Sequence, residues 1–339
     1  MLSSGRTVLV TGGGGFIGSH LANRLRDDGH NVRILDNFAT GSRENVRHLL
    51  EDVELIEGDM QSYERAHNAV RGCDVVFHQA ALPSVPRSIQ DPLTSNASNV
   101  IGTLNLLLAA RDEGVRRFVF ASSSSVYGAN PQLPKVETMA TLPISPYAVA
   151  KQAAEGYCRA FYEVYGLETV ALRYFNVFGP RQDPLSQYAA VIPKFITSFL
   201  EGRPPIVYGD GEQSRDFTFI DNTVDANIRA ASVDGVAGRA FNIACGERIS
   251  LNDLLSKLRE LTGSDLAAQY LDPRPGDIPH SLADISAARE ILGFDPQVDL
   301  MEGLARTVEY HEKNDSIPAA EISANPDSAG GADFSHPGQ

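Results

Sequence analysis

Tyr147 and Lys151 stand four residues apart in Tyr147-Ala148-Val149-Ala150-Lys151, introduced by Ser145-Pro146. Residues i and i+4 share a helix face, so a phenol and an ammonium would lie side by side. A free phenol, with a pKa of ~10, is a poor base at neutral pH, and a neighbouring ammonium favours its ionised form. The pair therefore predicts a lowered phenol pKa and a base that takes a proton from an alcohol as hydride leaves the carbon. Such pairs are common on helix surfaces, so the meaning of this one depends on its partners. Ser123 lies 24 residues before Tyr147, in Ala121-Ser122-Ser123-Ser124-Ser125-Val126-Tyr127-Gly128. Four consecutive hydroxyls after an apolar run are poor core material, because each needs a hydrogen-bond partner. At the carboxyl end of a parallel strand they would face a ligand.

A second constellation opens the chain. Thr11-Gly12-Gly13-Gly14-Gly15-Phe16-Ile17-Gly18 follows an apolar run and precedes an amphipathic one, and Gly12, Gly15 and Gly18 keep a GxxGxxG spacing. Glycines let a turn approach a pyrophosphate closely, and the following helix N-terminus offers unpaired N–H groups. The next apolar run ends in Asp36, 18 residues past Gly18, where a carboxylate would hold an adenosine ribose diol. The same charge would repel a 2′-phosphate, which favours NAD over NADP. Arg33 and Arg43 are a mild counter-signal, read as solvated surface charges. Asp59, in Gly58-Asp59-Met60, stands where a carboxylate accepts the adenine amino group.

These residues need a scaffold. Apolar runs at 7–11, 32–35, 53–56, 75–77, 118–120 and 169–172 alternate with helix-like segments, notably Ser98–Glu113 and Tyr147–Tyr165. Strands alternating with helices predict a parallel sheet covered on both faces. After about residue 175 the pattern loosens into a smaller lobe, rich in Pro and Gly, with helices near Ala189–Leu200, Thr223–Ala231, Leu251–Leu261 and Ala283–Leu292. Some of its segments are expected to return to the first sheet. The expected division is 1–175, 176–313 and a disordered tail over 314–339. A chain of 339 residues with 42% hydrophobic residues can bury sizeable cores. Its net charge of −14 argues against a general nucleic-acid surface. Cys73, Cys158 and Cys245 are scattered, with no metal-ligand spacing, and read as free thiols of a reducing cytosol. Neither a signal peptide nor a membrane span is visible, and no metal is expected.

Taken together, TGGGGFIG, LDN, HQAA, SSSSVYG, SPYAVAK and RYFNVFGPRQDP resemble the NAD-dependent epimerase/dehydratase family, the extended short-chain dehydrogenases, over residues 7–312. The resemblance is strongest to its UDP-N-acetylglucosamine and UDP-glucose 4-epimerases. It implies a Rossmann-type doubly wound parallel sheet with a smaller α/β substrate-binding lobe. It makes Tyr147 the base, Lys151 its partner and a ribose ligand, and Ser123 the hydroxyl that shares the O4 proton. Along the cofactor it places Phe16 and Ile17, Asn37, Met60, Gln79, Ala80, Ala81, Asn99 and Tyr174. On the substrate side it places Ser84, Ser124, Ser125, Asn176, Ala190, Val191, Tyr208, Arg215, Arg274, Asp277 and Ser281. Arg215 and Arg274 match the family's two diphosphate arginines, whose guanidinium forks suit bidentate phosphate binding. Tyr208 is a candidate to stack on uracil or a plain core aromatic. The loop Leu82-Pro83-Ser84 departs from relatives that often carry Gly second. Ser281 stands where epimerases restricted to UDP-glucose and UDP-galactose carry Tyr, and a serine leaves room for an N-acetyl group.

The implied activity is an NAD-dependent 4-epimerase of UDP-hexoses, UDP-GlcNAc/UDP-GalNAc and also UDP-Glc/UDP-Gal, working through a 4-keto sugar in the cytoplasm. The resemblance further implies a homodimer joined by a four-helix bundle of the two long helices. The alternatives are a UDP-glucuronate 4-epimerase or decarboxylase and, from another class, a catalytically silent NAD-binding protein. A 4,6-dehydratase is disfavoured, since that branch has Asp-Glu where Ser124-Ser125 stand.

Overall fold

The computed structural model describes residues 2–184, 190–273 and 279–315. Arg274, Asp277 and residues 316–339 of the expected tail lie outside them. The first part alternates as the apolar runs predict: β1 (Thr7–Thr11), α1 (Phe16–Asp27), β2 (Asn31–Asp36), β3 (Glu54–Glu57), α2 (Tyr63–Val70) and β4 (Val75–His78). Then come α3 (Val85–Gln90), α4 (Pro92–Asn96), a π-helical stretch over Ala97–Ile101 and α5 (Gly102–Asp112). β5 (Arg117–Ser123), α6 (Pro146–Tyr165) and β6 (Glu168–Tyr174) complete this part. Strands such as Val75-Val76-Phe77-His78 are buried at every position, as a strand covered on both faces must be.

The smaller lobe contains β7 (Val177–Phe178), α7 (Val191–Leu200), β8 (Ile206–Tyr208), β9 (Ser214–Arg215), β10 (Thr218–Phe219) and α8 (Ile220–Ser232). It continues with β11 (Arg239–Ile243), β12 (Ile249–Ser250), α9 (Leu251–Thr262), β13 (Gln269–Leu271) and α10 (Leu300–Asp315). Its short strands pair as β7 with β10, β9 with β12 and β8 with β13. β11 returns to the main sheet beside β6, giving the parallel order β11-β6-β5-β4-β1-β2-β3. Helix α10 was not legible as a periodic segment, and it carries the backbone past the start of the span read as a tail. The helix expected over Ala283–Leu292 is largely a π-helical turn, Ala288–Leu292.

One apolar cluster joins a face of the sheet, through Val10, Ile34 and Val170, to α8, α9 and α10 of the lobe. A second packs Leu9, Val76 and Phe118 against α2, α5 and α6. The lobe therefore shares its core with the sheet.

Helix α6 is the element that matters most for chemistry. Ser145 caps it, its hydroxyl accepting the Ala148 N–H at 3.2 Å, and Pro146 fixes its first turn. Gly166, left-handed at φ 72°, ends it. Ala150, Ala154, Cys158 and Phe161 are buried against the sheet. On the outer side Val149, Ala153, Gly156, Ala160 and Val164 form a second apolar stripe, exposed or half-buried. Leu93, Ala97, Ile101, Leu104 and Leu108 form a matching stripe along α4 to α5. Among the described residues no helix is long and apolar enough to cross a membrane.

Candidate active site

A cleft of about 690 Å³ opens at the carboxyl ends of β1, β2, β4, β5 and β6. Its floor is the glycine turn, where bulk is excluded on every side. A Cβ on Gly12 (φ 70°) would sit 2.7 Å from the Ala80 backbone, and one on Gly18 would sit 2.1 Å from the Gly12 carbonyl oxygen. Helix α1 begins at Phe16 with Gly15 at its N-cap and no side-chain cap, so its first amides are left for a ligand. Gly12, Gly15, Phe16, Ile17 and Gly18 all line the cleft.

At the far wall the carboxylate of Asp36 accepts the Gly14 and Phe38 N–H groups, each at 2.7 Å. Burial pushes its pKa up while these amides pull it down. Two amides occupy part of its acceptor capacity, leaving lone pairs for a diol. Asn37 donates to Asp59 at 2.9 Å, and Asn37, Asp59 and Met60 line the same wall. The counter-signal dissolves: Arg33 is paired with Glu54 at 2.6 Å, and Arg43 with Glu57 at 2.5 Å over the Phe38 ring. Both are thus paired with carboxylates, and neither lines the cleft. Glycines at close approach, open helix amides and an acceptor at the ribose position fit an NAD molecule and not a metal ion or a phosphorylated analogue.

The three residues expected to be catalytic meet where α6 crosses the end of β5. Ser123 is the last residue of β5, and its hydroxyl is hydrogen-bonded to the Tyr147 phenol. Lys151 is 3% exposed and donates to the Ala121 carbonyl at 2.7 Å, with its Nζ 5.9 Å from the Tyr147 ring centre. Between those two anchors Ser122 donates to Glu155 at 2.8 Å, and Glu155 is held by Arg173. The backbone N–H of Tyr147 donates to Ser88 at 3.0 Å.

The expected lowering of the phenol pKa is not what this geometry gives. Burial pushes Tyr147 up to about 12, against the Ser123 hydrogen bond, and pushes Lys151 down to about 8. Desolvation outweighs the pairing because the ammonium is turned onto a carbonyl of β5 instead of the phenol oxygen.

Gln79, Ala80, Ala81, Ser84, Tyr174 and Ala190 line the cleft as expected. The Tyr174 hydroxyl is fixed by Asn227, which donates to it at 2.8 Å. Asn99 does not line the cleft; its side chain clamps the Leu82 backbone, accepting N–H at 2.8 Å and donating to C=O at 3.1 Å. Ser124 and Ser125 form the turn after β5, away from the cofactor wall, and the buried Ser125 hydroxyl has no partner among the described residues.

The other substrate-side residues gather elsewhere, around β9. The Arg215 guanidinium donates to the Ser214 and Pro279 carbonyls at 3.0 and 3.1 Å, and Ser281 N–H donates to Ser214 C=O at 3.0 Å. Asn176 (φ 36°) follows β6 and donates its amide to the Asp216 carbonyl at 2.9 Å. Val191 starts α7 and Tyr208 ends β8. None of these lines the cofactor cleft, so the described residues assemble the site in two halves. Thr40, Gly41, Arg87, Gln182 and Asp183 also line the cleft. Gln182 and Asp183 belong to the RYFNVFGPRQDP motif, and a Cβ on Gly41 would meet the Gly14 backbone at 2.6 Å.

Comparison with known proteins identifies the family. A family model described as the NAD dependent epimerase/dehydratase family matches residues 8–244. The chain is 40% identical over 311 residues to a UDP-glucose 4-epimerase of Mycolicibacterium smegmatis, covering 89% of this chain and 97% of that one. Its structure resembles a UDP-N-acetylglucosamine 4-epimerase from Methanobrevibacter ruminantium in complex with UDP-N-acetylmuramic acid, at 44% identity and a TM-score of 0.88, covering 92% and 100% of the two chains. It also resembles a Thermus thermophilus UDP-glucose 4-epimerase in complex with NAD, at 36% identity and a TM-score of 0.83, covering 90% and 99%.

The pKa of Lys151 gives a pH test. Its charge is present below pH ~8 and lost above it, so an ammonium-assisted reaction should show an alkaline limb in kcat/KM near that value. In Lys151→Arg the charge persists, and the limb should move upward whatever the remaining rate. An unchanged limb in that variant would mean another group sets it.

Proposed function

This chain belongs to the NAD-dependent epimerase/dehydratase family, and within it we propose a 4-epimerase that acts on UDP-GlcNAc and UDP-GalNAc, and also on UDP-Glc and UDP-Gal. The observation that carries the proposal is Tyr147 and Lys151 lining one cleft whose opposite wall ends in Asp36, with Ser123 hydrogen-bonded to the phenol from behind the lining. NAD, when bound, supplies the reversible two-electron oxidation that a 4-keto sugar requires.

The protein's own residues then do the rest. Tyr147 takes the C4 hydroxyl proton, and Ser123, already bonded to the phenol, shares it. Because burial holds the phenol near 12, positive charge must be present in the cleft for it to ionise, and Lys151 contributes its share from the Ala121 carbonyl. The proton returns from Tyr147 to the oxygen on the inverted carbon. Inversion requires the keto sugar to turn while its nucleotide stays put, so nucleotide contacts must be strong and sugar contacts weak. Arg215 and Arg274 are proposed to hold the diphosphate, with Asn176, Tyr208, Ala190, Val191 and Asp277 beside the nucleotide. Ser84, Ser124 and Ser125 are proposed to offer small hydroxyls to the sugar. The smaller lobe after residue 175 is the proposed seat of the nucleotide sugar.

The paired apolar stripes of α4–α5 and α6 support a homodimer through a four-helix bundle, since exposed stripes of this length are seldom left in water. The protein should have twice the chain mass in solution, and Leu93→Asp with Val164→Asp should reduce it to one chain. A monomeric wild-type protein would remove the bundle.

Incubation of the purified protein with UDP-GlcNAc should yield UDP-GalNAc, and Tyr147→Phe should lower kcat by ~10²–10⁴ while bound NAD and Tm stay unchanged. Turnover of UDP-glucuronate alone would favour the alternative reading, and near-normal turnover of Tyr147→Phe would remove it as the base. Ser281→Tyr should suppress the acetylated substrates selectively; equal loss on both kinds would end the size argument.

A further inference from the structure

His78, the last residue of β4, has no part in the proposed chemistry, yet its imidazole is only 1% exposed and lies between Phe118 and Phe120. Each ring nitrogen has one partner. Nδ1 is 2.7 Å from the Thr11 hydroxyl and Nε2 is 2.8 Å from the Thr103 hydroxyl. Counting protons fixes the tautomer. The Thr103 hydroxyl donates its single proton to the Asn99 carbonyl at 2.8 Å, so toward His78 it can only accept, from Nε2–H. The Thr11 oxygen accepts the Ala80 N–H at 3.2 Å, and its own proton is left for Nδ1. A second proton on the ring would leave the Thr11 hydroxyl without an acceptor. Burial and the Lys151 ammonium, the charged group facing it, push the imidazole down to about 3.

The bonds continue from His78 to the cleft on both sides. Thr11 holds Ala80, which abuts the glycine turn. Thr103 holds the Asn99 carbonyl within the π-helical stretch, and the widened turn aims the Asn99 amide at both polar groups of the Leu82 backbone. Two residues on, Ser84 (φ 109°) caps α3 by accepting the Arg87 N–H, and Ser88 of α3 accepts the Tyr147 N–H. The segment Ala80–Ser84 thus connects the cofactor wall to the first turn of α6.

We propose that His78 is a positioning residue: as a neutral Nε2–H imidazole it ties β1 to the π-helical turn, and so holds Ala80–Leu82 at the cofactor wall and, through α3, the Tyr147 backbone. The proposal rests on the cofactor cleft and on Tyr147 as the base, and not on which sugar is bound.

The test uses the NAD-loaded protein labelled with ring-¹⁵N histidine. His78 should show a proton on Nε2, a bare Nδ1 and no titration between pH 5 and 8. A proton on Nδ1, or a titration in that range, would overturn the proposal without any variant being made. His78→Leu removes both arms, whereas His78→Gln restores the donor to Thr103. Exchange of the Leu82 amide should speed up about tenfold in His78→Leu, the loss expected for one hydrogen bond, and return toward the wild-type rate in His78→Gln. In the same pair kcat should fall and recover, with the KM for the UDP-sugar held within about twofold. Unchanged exchange at Leu82, or an equal acceleration throughout β1, would assign His78 to general stability instead. Absence of epimerase activity would leave the exchange and nitrogen readouts intact, so failure of the activity reading is separable from failure of this one.

Discussion

Burying an ammonium costs several kcal/mol unless its protons are satisfied, and this protein buries one beside its reactive phenol. Lys151 gives one of its three protons to a backbone carbonyl of β5. The consequence reaches well beyond one hydrogen bond, because successive residues of β5 each take hold of α6. The Ala121 carbonyl holds Lys151, Ser122 holds Glu155 and Ser123 holds Tyr147. Tyr147, Lys151 and Glu155 are spaced one helical turn apart, so the helix can meet these anchors only in one rotation and one register. The run of serines that is poor core material is therefore the device that seats the catalytic helix.

The rest of the frame serves that seating. All seven strands are parallel, so their carboxyl ends fall on one side, and the order β4-β1-β2 leaves a crevice where the chain, having gone out to β3, comes back past β1 to β4. Glycines at the first turn let α1 approach that crevice, and Asp36 at the end of β2 closes its far side. β11 extends the sheet beyond β6, which ties the lobe carrying Arg215 and Ser281 to the strand that precedes Asn176. Sheet and lobe thus share one core.

Features set by local spacing could be read from the sequence. The glycine turn, the carboxylate ending β2 and the phenol–ammonium helix each need only a short stretch of chain, and each lies where the spacing puts it. Features set by partners far along the chain could not be read. The direction of the Tyr147 shift depends on how dry the cleft is and on Lys151 choosing a carbonyl of another element. Asn99 reads as a cofactor residue until the π-helical turn, which no periodicity announces, aims it at Leu82. Asn176 spends its amide on the Asp216 carbonyl and Arg215 part of its guanidinium on the Pro279 carbonyl, contacts between segments far apart in the chain. The His78 tautomer follows from two threonines and an amide contributed by separate elements.

The central claim is that charge held near a desolvated phenol decides whether it can act as a base. Carbon-13 labelling at Cζ of tyrosine lets the Tyr147 resonance be titrated directly in protein stripped of NAD, in the loaded protein and in loaded Lys151→Met. The phenol should titrate near 12 when stripped, well below that when loaded, and back toward the stripped value when the ammonium is removed. A Tyr147 titration that is the same in all three would contradict the account.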